Sequence, residues 1–443
     1  MEAWWNDRYF IVRAASLYVA VVLTAAVWVW RRPNRRAIAG AVLGLFWNLP
    51  VLLALQLTAS YFGWWRFDAQ GGLFLGIPVD LYLSWAWLWG FVFAIGFPDL
   101  PLVLVAAIAF AVDLALMPAA APVIRLGPHW LIGEAAGLLF ALLPGLVLAR
   151  WTSRDVHLKG RSVLQMLAFS GFLLFVLPAI AIDGSGAGWL NPVTLPIWQL
   201  SLIAQGLAIP ALFGITAVQE FVIRGGGTPV PFDSTRRLVT TGVYAYLRNP
   251  MQTAAVLLLL LIGLIVENLW ISAAGVMAHI YGAGIAGWDE DQDLRLRFGK
   301  SWTEYRKAVR GWVPRFRPWF PRDQAPSRLY VSAGCGACSE VGLWFARHGA
   351  LHLDIVAAEH HPSRTLTRIT YDPNDGTEDV SGIHAVSRAL DHIHLGWAML
   401  GWLFRLPVIS HTVQLVVDAS GGGPREILTP SRAAKRQNCR RRL

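Results

Sequence analysis

Charge and cysteine are both scarce in this sequence. Only 15% of the 443 residues are Asp, Glu, Lys or Arg, whereas 55% are hydrophobic. This balance is typical of a membrane protein and excludes an ordinary soluble domain. The three cysteines are Cys335, Cys338 and Cys439. They supply one Cys-x-x-Cys pair, and no second pair completes a four-cysteine zinc site, so we predict no bound metal.

Acidic residues are scarcer than basic ones, which gives a formal net charge of +10. The arginines lie in short loops beside apolar runs and at the C-terminus. This arrangement follows the positive-inside rule of membrane proteins and argues against a nucleic-acid partner. The first ten residues, MEAWWNDRYF, lack the cationic start and small-residue cleavage site of a signal peptide. The first apolar run is therefore predicted to be an uncleaved helix.

About nine apolar stretches approach the length of a membrane-spanning helix, roughly 20 residues. They are Phe10–Trp30, Ala37–Thr58, Leu73–Phe97, Leu100–Ala121, Trp130–Trp151, Val163–Ile182, Leu195–Val222, Ala254–Val266 and Leu269–Trp288. Basic loops follow the first, fifth and seventh stretches, and the other loops carry one arginine or none. The sequence thus predicts a multi-pass membrane protein with its N-terminus outside and its C-terminal domain in the cytoplasm.

Three carboxylates, Asp80, Asp113 and Glu134, interrupt the apolar stretches of the N-terminal half. Because a charged side chain inside a bilayer is costly, they indicate a second polar site or an ion pathway. They also fit as hydrogen-bonding groups between helices. Both interpretations stay open at this point.

Residues 236–318 contain two polar blocks on either side of an apolar hairpin, Ala254–Trp288. The first block reads RRLVTTGVYAYLRNPMQ and the second DEDQDLRLRFGKSWTEYRKAVRGWVPRFRP. A hairpin that crosses the membrane and returns brings both blocks to one side, where we expect the active site. The second block predicts an amphipathic helix along the membrane surface. Its apolar face consists of Leu294, Phe298, Trp302, Tyr305 and Val309.

Several short motifs occur in order over residues 227–314. They comprise Gly227–Pro229, Leu238, Val239, Gly242, Tyr244, Arg248–Pro250, Glu290, Asp291, Leu294, Phe298, Gly299, Tyr305 and Pro314. Over about residues 195–320 the chain thereby resembles integral membrane methyltransferases related to isoprenylcysteine carboxyl methyltransferase and phospholipid N-methyltransferases. Gln252 and Trp302 stand where that family usually has tyrosine. The resemblance implies S-adenosylmethionine as cofactor. It also implies a set of cofactor-binding residues, namely Tyr244, Arg248, Asn249, Pro250, Glu290 and Asp291.

Methyl transfer from a sulfonium needs alignment and a dry pocket more than an acid or a base. We expect Arg248, His279 and Glu290 to be the catalytic residues, with Arg248 binding an acidic group and His279 orienting the acceptor or taking its proton. His279 and Glu290 are eleven residues apart, which predicts a shared helix face. Each residue also has a structural interpretation. Arg248 fits the positive-inside rule, His279 fits an interhelical hydrogen bond, and Glu290 fits a carboxylate stabilised at a helix N-terminus.

From about residue 323 the sequence changes to strand and helix patterns in the order βαβ and then ββα. The strand RLYVSAG precedes Cys335-Gly-Ala-Cys338, which begins a helix, and HTVQLVVDA is predicted to be a later strand. A hairpin is predicted to turn at Asn374–Gly376. Because a helix N-terminus lowers the pKa of a nearby thiol, the cysteine pair is predicted to be redox-active.

Further motifs extend this pattern over about residues 328–427. They are Cys335, Cys338, Tyr371-Asp372, Gly382, Ala385 and Arg425. The segment is similar to DCC-type thiol-disulfide oxidoreductase domains, which implies a thioredoxin-like α/β fold and a thiol or thioredoxin-type partner. The predicted domains are residues 1–160 (helices of unknown role), 161–322 (methyltransferase core), 323–430 (Cys-x-x-Cys domain) and 431–443 (basic disordered tail).

Three functions follow from these patterns. The first is methyl transfer to a lipophilic or small acceptor (a carboxylate, an amine or a thiol), with membrane lipids as partners. The second is a membrane thiol-disulfide oxidoreductase, in which Cys335 and Cys338 exchange electrons with a quinone-like partner. The third is a transporter, suggested by the N-terminal carboxylates and ranked last because no inverted repeat is evident.

Overall fold

The structure, a computed structural model, describes residues 7–121, 123–189, 194–230, 233–334 and 336–424. The chain forms two compact units that interleave in sequence. Unit 1 comprises Met1–Ile203, Gly227–Ser234 and Leu258–Val276, and unit 2 comprises Ala204–Gly226, Thr235–Leu257 and Met277–Leu443. The four-part division predicted from composition differs from this one and stays a prediction.

Unit 1 is dominated by long apolar helices. Its helices are α1 Asp7–Arg31, α2 Arg35–Phe62, α3 Val79–Trp87, α4 Phe93–Gly96, α5 Leu102–Ala119, α6 Trp130–Ala136, α7 Leu143–Arg154, α8 Leu158–Gly171 and α9 Leu177–Ser185. Short π-helical turns join α3 to α4, α6 to α7 and α8 to α9. Two antiparallel pairs of short strands lie between helices: β1 Trp65–Phe67 with β4 Ile124–Leu126, and β2 Leu73–Phe74 with β3 Ile77–Pro78.

Glycines let the helices of unit 1 approach closely. A methyl group added at Gly40 would lie 2.4 Å from the carbonyl oxygen of Ala149, and one at Gly90 would lie 2.4 Å from the backbone nitrogen of Leu45. Apolar helices in a lipid environment associate through such close backbone contacts, because burying apolar side chains there gains little. The small residues of α2 and α7 therefore fix the packing of this unit.

The three carboxylates singled out in the N-terminal half hydrogen-bond between helices. Asp80 pairs with Arg13 at 2.5 Å. The Trp85 indole donates to Oδ1 of Asp113 at 2.5 Å, and Asp113 and Glu134 share a hydrogen bond. Of the two interpretations, hydrogen bonding between helices is observed for all three carboxylates.

The region that carries the methyltransferase motifs is built from four helices. They are α10 Ile197–Ile223, α11 Pro250–Ile265, α12 Leu269–Tyr281 and α13 Gly287–Ala308. The predicted hairpin is confirmed as α11 and α12. Glu267 in its turn has a φ of +52°, and the Asn268 side chain accepts from the backbone N–H groups of Trp270 and Ile271, which begins α12.

The amphipathic helix does not begin as a separate element after the last span. A π-helical turn, Gly282–Ala286, joins α12 to α13, so helix continues over the 40 residues Leu269–Ala308. The break occurs later, at Gly299, where φ is +51° and ψ is −116°. Only glycine adopts such a conformation without strain, which explains the Phe-Gly motif at this point. Of the predicted apolar face, Trp302, Tyr305 and Val309 are buried in one cluster, and the partly buried Leu294 and Phe298 pack against it.

The count of spans comes close to the predicted nine. Within the described ranges, eight helices are long and apolar enough to cross a membrane, or nine if the pair Leu395–Phe404 and Pro407–Gly422, bent by 90°, is one span. The predicted eighth stretch is α11, which is shorter. The third stretch begins at Val79 and not at Leu73, because residues 73–78 form the β2–β3 hairpin. These helices support an integral membrane protein.

Residues 327–424, the C-terminal module, contain a four-stranded sheet in the order β6-β5-β7-β8. Its elements are β5 Ser327–Val331, α14 Gly336–Arg347, β6 Leu353–Ala357, β7 Thr370–Asp372, β8 Val380–Ser381, α15 Ile383–Leu390, α16 Leu395–Phe404 and α17 Pro407–Val417. Strands β5 and β6 are parallel, whereas β7 is antiparallel to β5 and to β8. The predicted order of elements, βαβ and then ββα, is observed up to α15.

One element of the module was predicted wrongly. The segment HTVQLVVDA lies in α17 and a subsequent π-helical turn, not in a strand. Pro407 occupies the first turn of α17, where its fixed φ favours helix, and a short apolar run cannot be assigned by periodicity alone. Cys335, Arg425 and the tail at residues 431–443 lie outside the described residues.

A buried charge cluster lies in unit 2 and consists of Glu220, Arg388, Asp391 and Arg405. Glu220 of α10 contacts Arg388 and accepts from Nη1 of Arg405 at 3.1 Å. Asp391 accepts from Nη2 of Arg405 at 2.8 Å. All four side chains are more than 90% buried. The cluster thus joins the end of α10 to the C-terminal module by paired charges.

Candidate functional site

The first polar block forms a tight turn before α11. Residues Gly242–Ala245 make one turn of 3₁₀-helix, and Gly242 has a φ of +59°. A methyl group at Gly242 would lie 2.6 Å from the Glu220 carboxyl carbon. Both the backbone conformation and the available space therefore require glycine, which accounts for the Gly-x-Tyr motif. Pro250 is the first residue of α11, where the lack of an N–H costs nothing.

Backbone hydrogen bonds bring the two polar blocks together. The N–H of Arg248 donates to the carbonyl of Arg310 at 2.9 Å, and the N–H of Asn249 donates to the carbonyl of Gly311 at 3.2 Å. The Tyr305 hydroxyl donates to the Tyr244 carbonyl at 2.8 Å. The two ends of the hairpin thus meet in unit 2, as the sequence predicted.

Arg248 lies between the two blocks. Its Nη1 donates to the Arg306 carbonyl at 3.3 Å, and its guanidinium lies 5.6 Å from the centre of the Trp302 ring. Burial lowers the pKa of Arg248, yet an arginine stays charged at neutral pH. Arg248 therefore satisfies a carbonyl at the end of α13 and adds a positive charge to the site.

The two carboxylates of the second block differ in their surroundings. Asp291 is fully engaged: it accepts from the Trp302 indole at 2.9 Å and pairs with Arg295 and Arg306 at 2.9 Å each. The Trp302 indole thus orients Asp291. Glu290 makes no hydrogen bond or ion pair with any described residue, although its charge interacts with that of Arg248. Of the two, Glu290 has the carboxylate oxygens available for a ligand.

His279 and Glu290 are not related by regular α-helix. The π-helical turn Gly282–Ala286 lies between them, and an inserted residue rotates the C-terminal part of a helix by about 100° relative to an uninterrupted one. The prediction of a shared face assumed 3.6 residues per turn throughout and does not hold. His279 instead packs edge-on against Trp312, with ring centres 4.3 Å apart. Trp312 lies near the end of the second polar block, and sequence reasoning did not single it out.

Three buried polar atoms near the turn lack a hydrogen-bond partner among the described residues. They are the hydroxyl of Tyr244, Oε1 of Gln252 and the hydroxyl of Thr253. Burial, reinforced by the charges of Glu290 and Glu220, raises the pKa of Tyr244 well above its ordinary value, so its hydroxyl stays a donor. Buried polar atoms without partners are costly. A ligand that offers both donors and acceptors, as an S-adenosyl amino acid does, fits these groups.

The redox residues can be located only in part. Cys338 lies in the first turn of α14, directly after strand β5, and is half-buried. This position agrees with the predicted strand, cysteine pair and helix. Cys335 is outside the described residues, so the pair itself stays a prediction. Among the residues that the structure describes, no group of three or more His, Cys, Asp or Glu side chains is arranged to hold a metal ion.

Residues 206–300 match the family model described as phospholipid methyltransferase. The matched segment runs from α10 into α13 and contains the turn, the hairpin and both carboxylates, and it supports a membrane methyltransferase. No curated protein and no solved structure matches the chain. The N-terminal helices and the C-terminal module lie outside the matched segment.

Proposed function

We propose that this chain is an S-adenosylmethionine-dependent membrane methyltransferase that acts on a lipophilic or small acceptor, either a carboxylate, an amine or a thiol. The observation that carries the proposal is the meeting of the two polar blocks. The hydrogen bonds of Arg248 and Asn249 to residues 310 and 311 hold the Arg-Asn-Pro turn against the end of α13. Glu290 has no described partner, and its charge contributes to the raised pKa of the unpaired Tyr244 hydroxyl, so the two groups interact electrostatically.

The residues of this site suit methyl transfer. When bound, S-adenosylmethionine supplies a methyl group on a cationic sulfur, which passes to the acceptor's oxygen, nitrogen or sulfur while the electrons of the broken C–S bond stay on the cofactor. Glu290 would accept hydrogen bonds from the ribose hydroxyl groups of the cofactor, while Tyr244 would donate to, and Gln252 accept from, its other polar groups. Arg248 orients an anionic group by its charge. His279, held by Trp312, is available to take a proton from the acceptor.

Binding of the cofactor product tests this proposal. Purified full-length protein in lipid nanodiscs should bind S-adenosylhomocysteine, and Glu290→Gln should weaken this binding at least about tenfold, since a charged hydrogen bond contributes roughly 1.5–3 kcal/mol. The matched control is Glu340→Gln, because Glu340 is an exposed helical glutamate of the C-terminal module. Equal binding by the wild type and Glu290→Gln would count decisively against the assignment.

As a second candidate, we propose a thiol-disulfide oxidoreductase activity for the C-terminal module. The observation that favours it is the position of Cys338 in the first turn of α14, directly after the central strand β5 of the sheet. Cys335 and Cys338 would form a disulfide and pass two electrons and two protons to a partner disulfide or a quinone, which becomes a dithiol or a quinol. Thioredoxin-like folds carry their reactive pair at such a strand–helix junction.

Thiol trapping tests the second candidate. In reduced protein, a maleimide reagent should label both Cys335 and Cys338, and incubation with an oxidised quinone should protect both together. Cys439→Ser removes the remaining cysteine and serves as the background for the assay. Labelling that stays complete after exposure to quinones and to low-molecular-weight disulfides would exclude this activity.

A further inference from the structure

A cavity lies in unit 2 whose wall includes none of Arg248, Asn249, Glu290 and Asp291. It measures about 360 Å³, which is within the usual range for small-molecule sites. Five separate segments of the chain line it: the end of α10, the loop before the 3₁₀ turn, α13, the segment after α13, and the turn between β7 and β8. We call it the junction cavity, since it is bounded both by the family-matched region and by the C-terminal module.

The junction cavity carries charges of both signs. Arg224 is already neutralised, because its Nη1 lies 3.3 Å from Oδ2 of Asp375 and also contacts Thr377. Arg237 and Asp323 line the same cavity. Within the part of the chain that the structure describes, neither has an ion-pair partner within 4.0 Å, and they do not pair with each other. The remaining carboxylate, Glu304, lies 3.7 Å from Lys300.

The rest of the wall combines hydroxyl groups with an apolar surface. Hydroxyl and amide groups come from Thr240, Thr241, Ser301 and Gln324, and the apolar part from Leu238, Val239, Trp319 and Pro321. Thr241 already donates to Glu220 at 3.0 Å, so the others are the groups left for a ligand. A molecule that fits this wall has an anionic end, a cationic end and a modest apolar portion.

We propose that the junction cavity binds the zwitterionic group of an α-amino acid, with its carboxylate at Arg237 and its ammonium at Asp323. Two sources supply this chemistry: a free amino acid with an apolar side chain, and the amino-acid end of an S-adenosyl cofactor. The pairing uses two charges that the protein leaves unpaired, and a charged hydrogen bond is stronger than a neutral one. The proposal stands without the methyltransferase assignment, since binding is measured without methyl transfer.

The test is binding of L-methionine and, separately, of S-adenosylhomocysteine to the full-length protein in nanodiscs. For at least one probe, Arg237→Met and Asp323→Asn should each weaken binding about tenfold. Arg236→Met and Asp354→Asn are the controls, because these exposed residues lie outside the cavity, and they should leave affinity unchanged. Arg237 and Asp323 are themselves exposed, so the fold should tolerate both changes.

The two probes distinguish the sources. Loss of methionine binding with unchanged S-adenosylhomocysteine binding identifies a free amino acid, whereas loss of S-adenosylhomocysteine binding identifies the cofactor's own amino-acid end. Either result supports the proposal. It is overturned if neither probe binds, if all four variants match the wild type, or if acetate or methylamine alone displaces the probe as well as methionine does.

Discussion

Two buried clusters of ionisable side chains, one in each unit of this protein, limit their charge in opposite ways. In unit 1, Asp113 and Glu134 hydrogen-bond to each other and to an indole, and no described cation pairs with them. In unit 2, Glu220 and Asp391 are neutralised by Arg388 and Arg405. A hydrogen bond between two carboxyl groups requires a proton on one of them. The Asp113–Glu134 pair of unit 1 thus limits its buried charge by protonation, whereas the cluster of unit 2 does so by ion pairing. Ion pairs occur elsewhere in unit 1 as well, between Arg13 and Asp80 and between Arg161 and Asp233.

This difference predicts how each cluster should respond to substitution. A paired cluster depends on every member, because removal of one ion leaves another buried and uncompensated. A carboxyl pair that shares a proton already carries one charge fewer than two carboxylates, and an amide can take the place of the protonated carboxyl group as a hydrogen-bond donor. The pair should therefore tolerate a neutral replacement of one member. Substitutions in each unit test that contrast, from the largest expected effect to the smallest.

Breaking the paired cluster should have the largest effect. Arg388→Met leaves Glu220 with Arg405 as its one described ion-pair partner, and it should lower the free energy of unfolding by about 3–5 kcal/mol. Chemical denaturation of the purified protein measures this loss. Arg347→Met, at an exposed position at the end of α14, is the matched control and should change stability by less than about 0.5 kcal/mol. A loss no larger than the control's would show that the cluster is not energetically coupled.

A histidine beside the paired cluster should give a pH dependence. His392 is buried between the Tyr371 hydroxyl, 2.9 Å away, and the Leu351 carbonyl, 2.7 Å away. Burial, assisted by the nearby positive charge of Arg388, lowers the pKa of His392 from 6.5 to about 4. Between these values the unfolded state binds more protons, so stability falls as pH falls. Going from about pH 7.5 to about pH 5 should cost about 2 kcal/mol through this residue.

The measurement is the denaturation midpoint across this pH range in the wild type and in His392→Gln. The variant should lose that part of the pH slope, because glutamine does not titrate. His348→Gln, at an exposed position, is the control and should keep the slope. Identical slopes in the wild type and His392→Gln would contradict the assignment of the effect to this residue.

Neutralising a carboxyl group of unit 1 should have the smallest effect. Asp113→Asn keeps the shape and the acceptor for the Trp85 indole, so it should change the free energy of unfolding by less than about 1 kcal/mol. Glu220→Gln, the same kind of change in the paired cluster, should cost about 3 kcal/mol. Both are measured by denaturation under the same conditions. Equal losses in the two variants would remove the distinction between the two clusters.

Much of this architecture could be predicted from local patterns. Apolar length predicted the spans, and the order of the Arg-Asn-Pro turn, hairpin and carboxylate pair predicted that the two polar blocks meet. The motif glycines Gly242 and Gly299 both have positive φ values. A positive φ favours glycine, so this backbone feature is visible in the sequence.

Long-range contacts and local irregularities of the helices could not be predicted from the sequence. The ion pair of Glu220 with Arg388 joins residues 168 positions apart, and no periodicity indicates which buried charges meet. The π-helical turn at Gly282–Ala286 inserts its extra residue without a composition signal, so the relation of His279 to Glu290 was predicted wrongly. The last apolar segment was ambiguous between strand and helix because its length is compatible with both.

The core behind the 3₁₀ turn has a consequence for dissecting this protein. Trp402 and Ala398 of α16 pack against Val243, Tyr244 and Tyr246, and the Tyr246 hydroxyl donates to the Asp391 carbonyl at 2.8 Å. A fragment that ends near residue 322 would lose the side chains of this core that α16 supplies. Inactivity of such a fragment would then reflect loss of the fold around the 3₁₀ turn and would not test thiol chemistry. The two proposed activities are better separated by a single-atom change such as Cys338→Ser than by truncation.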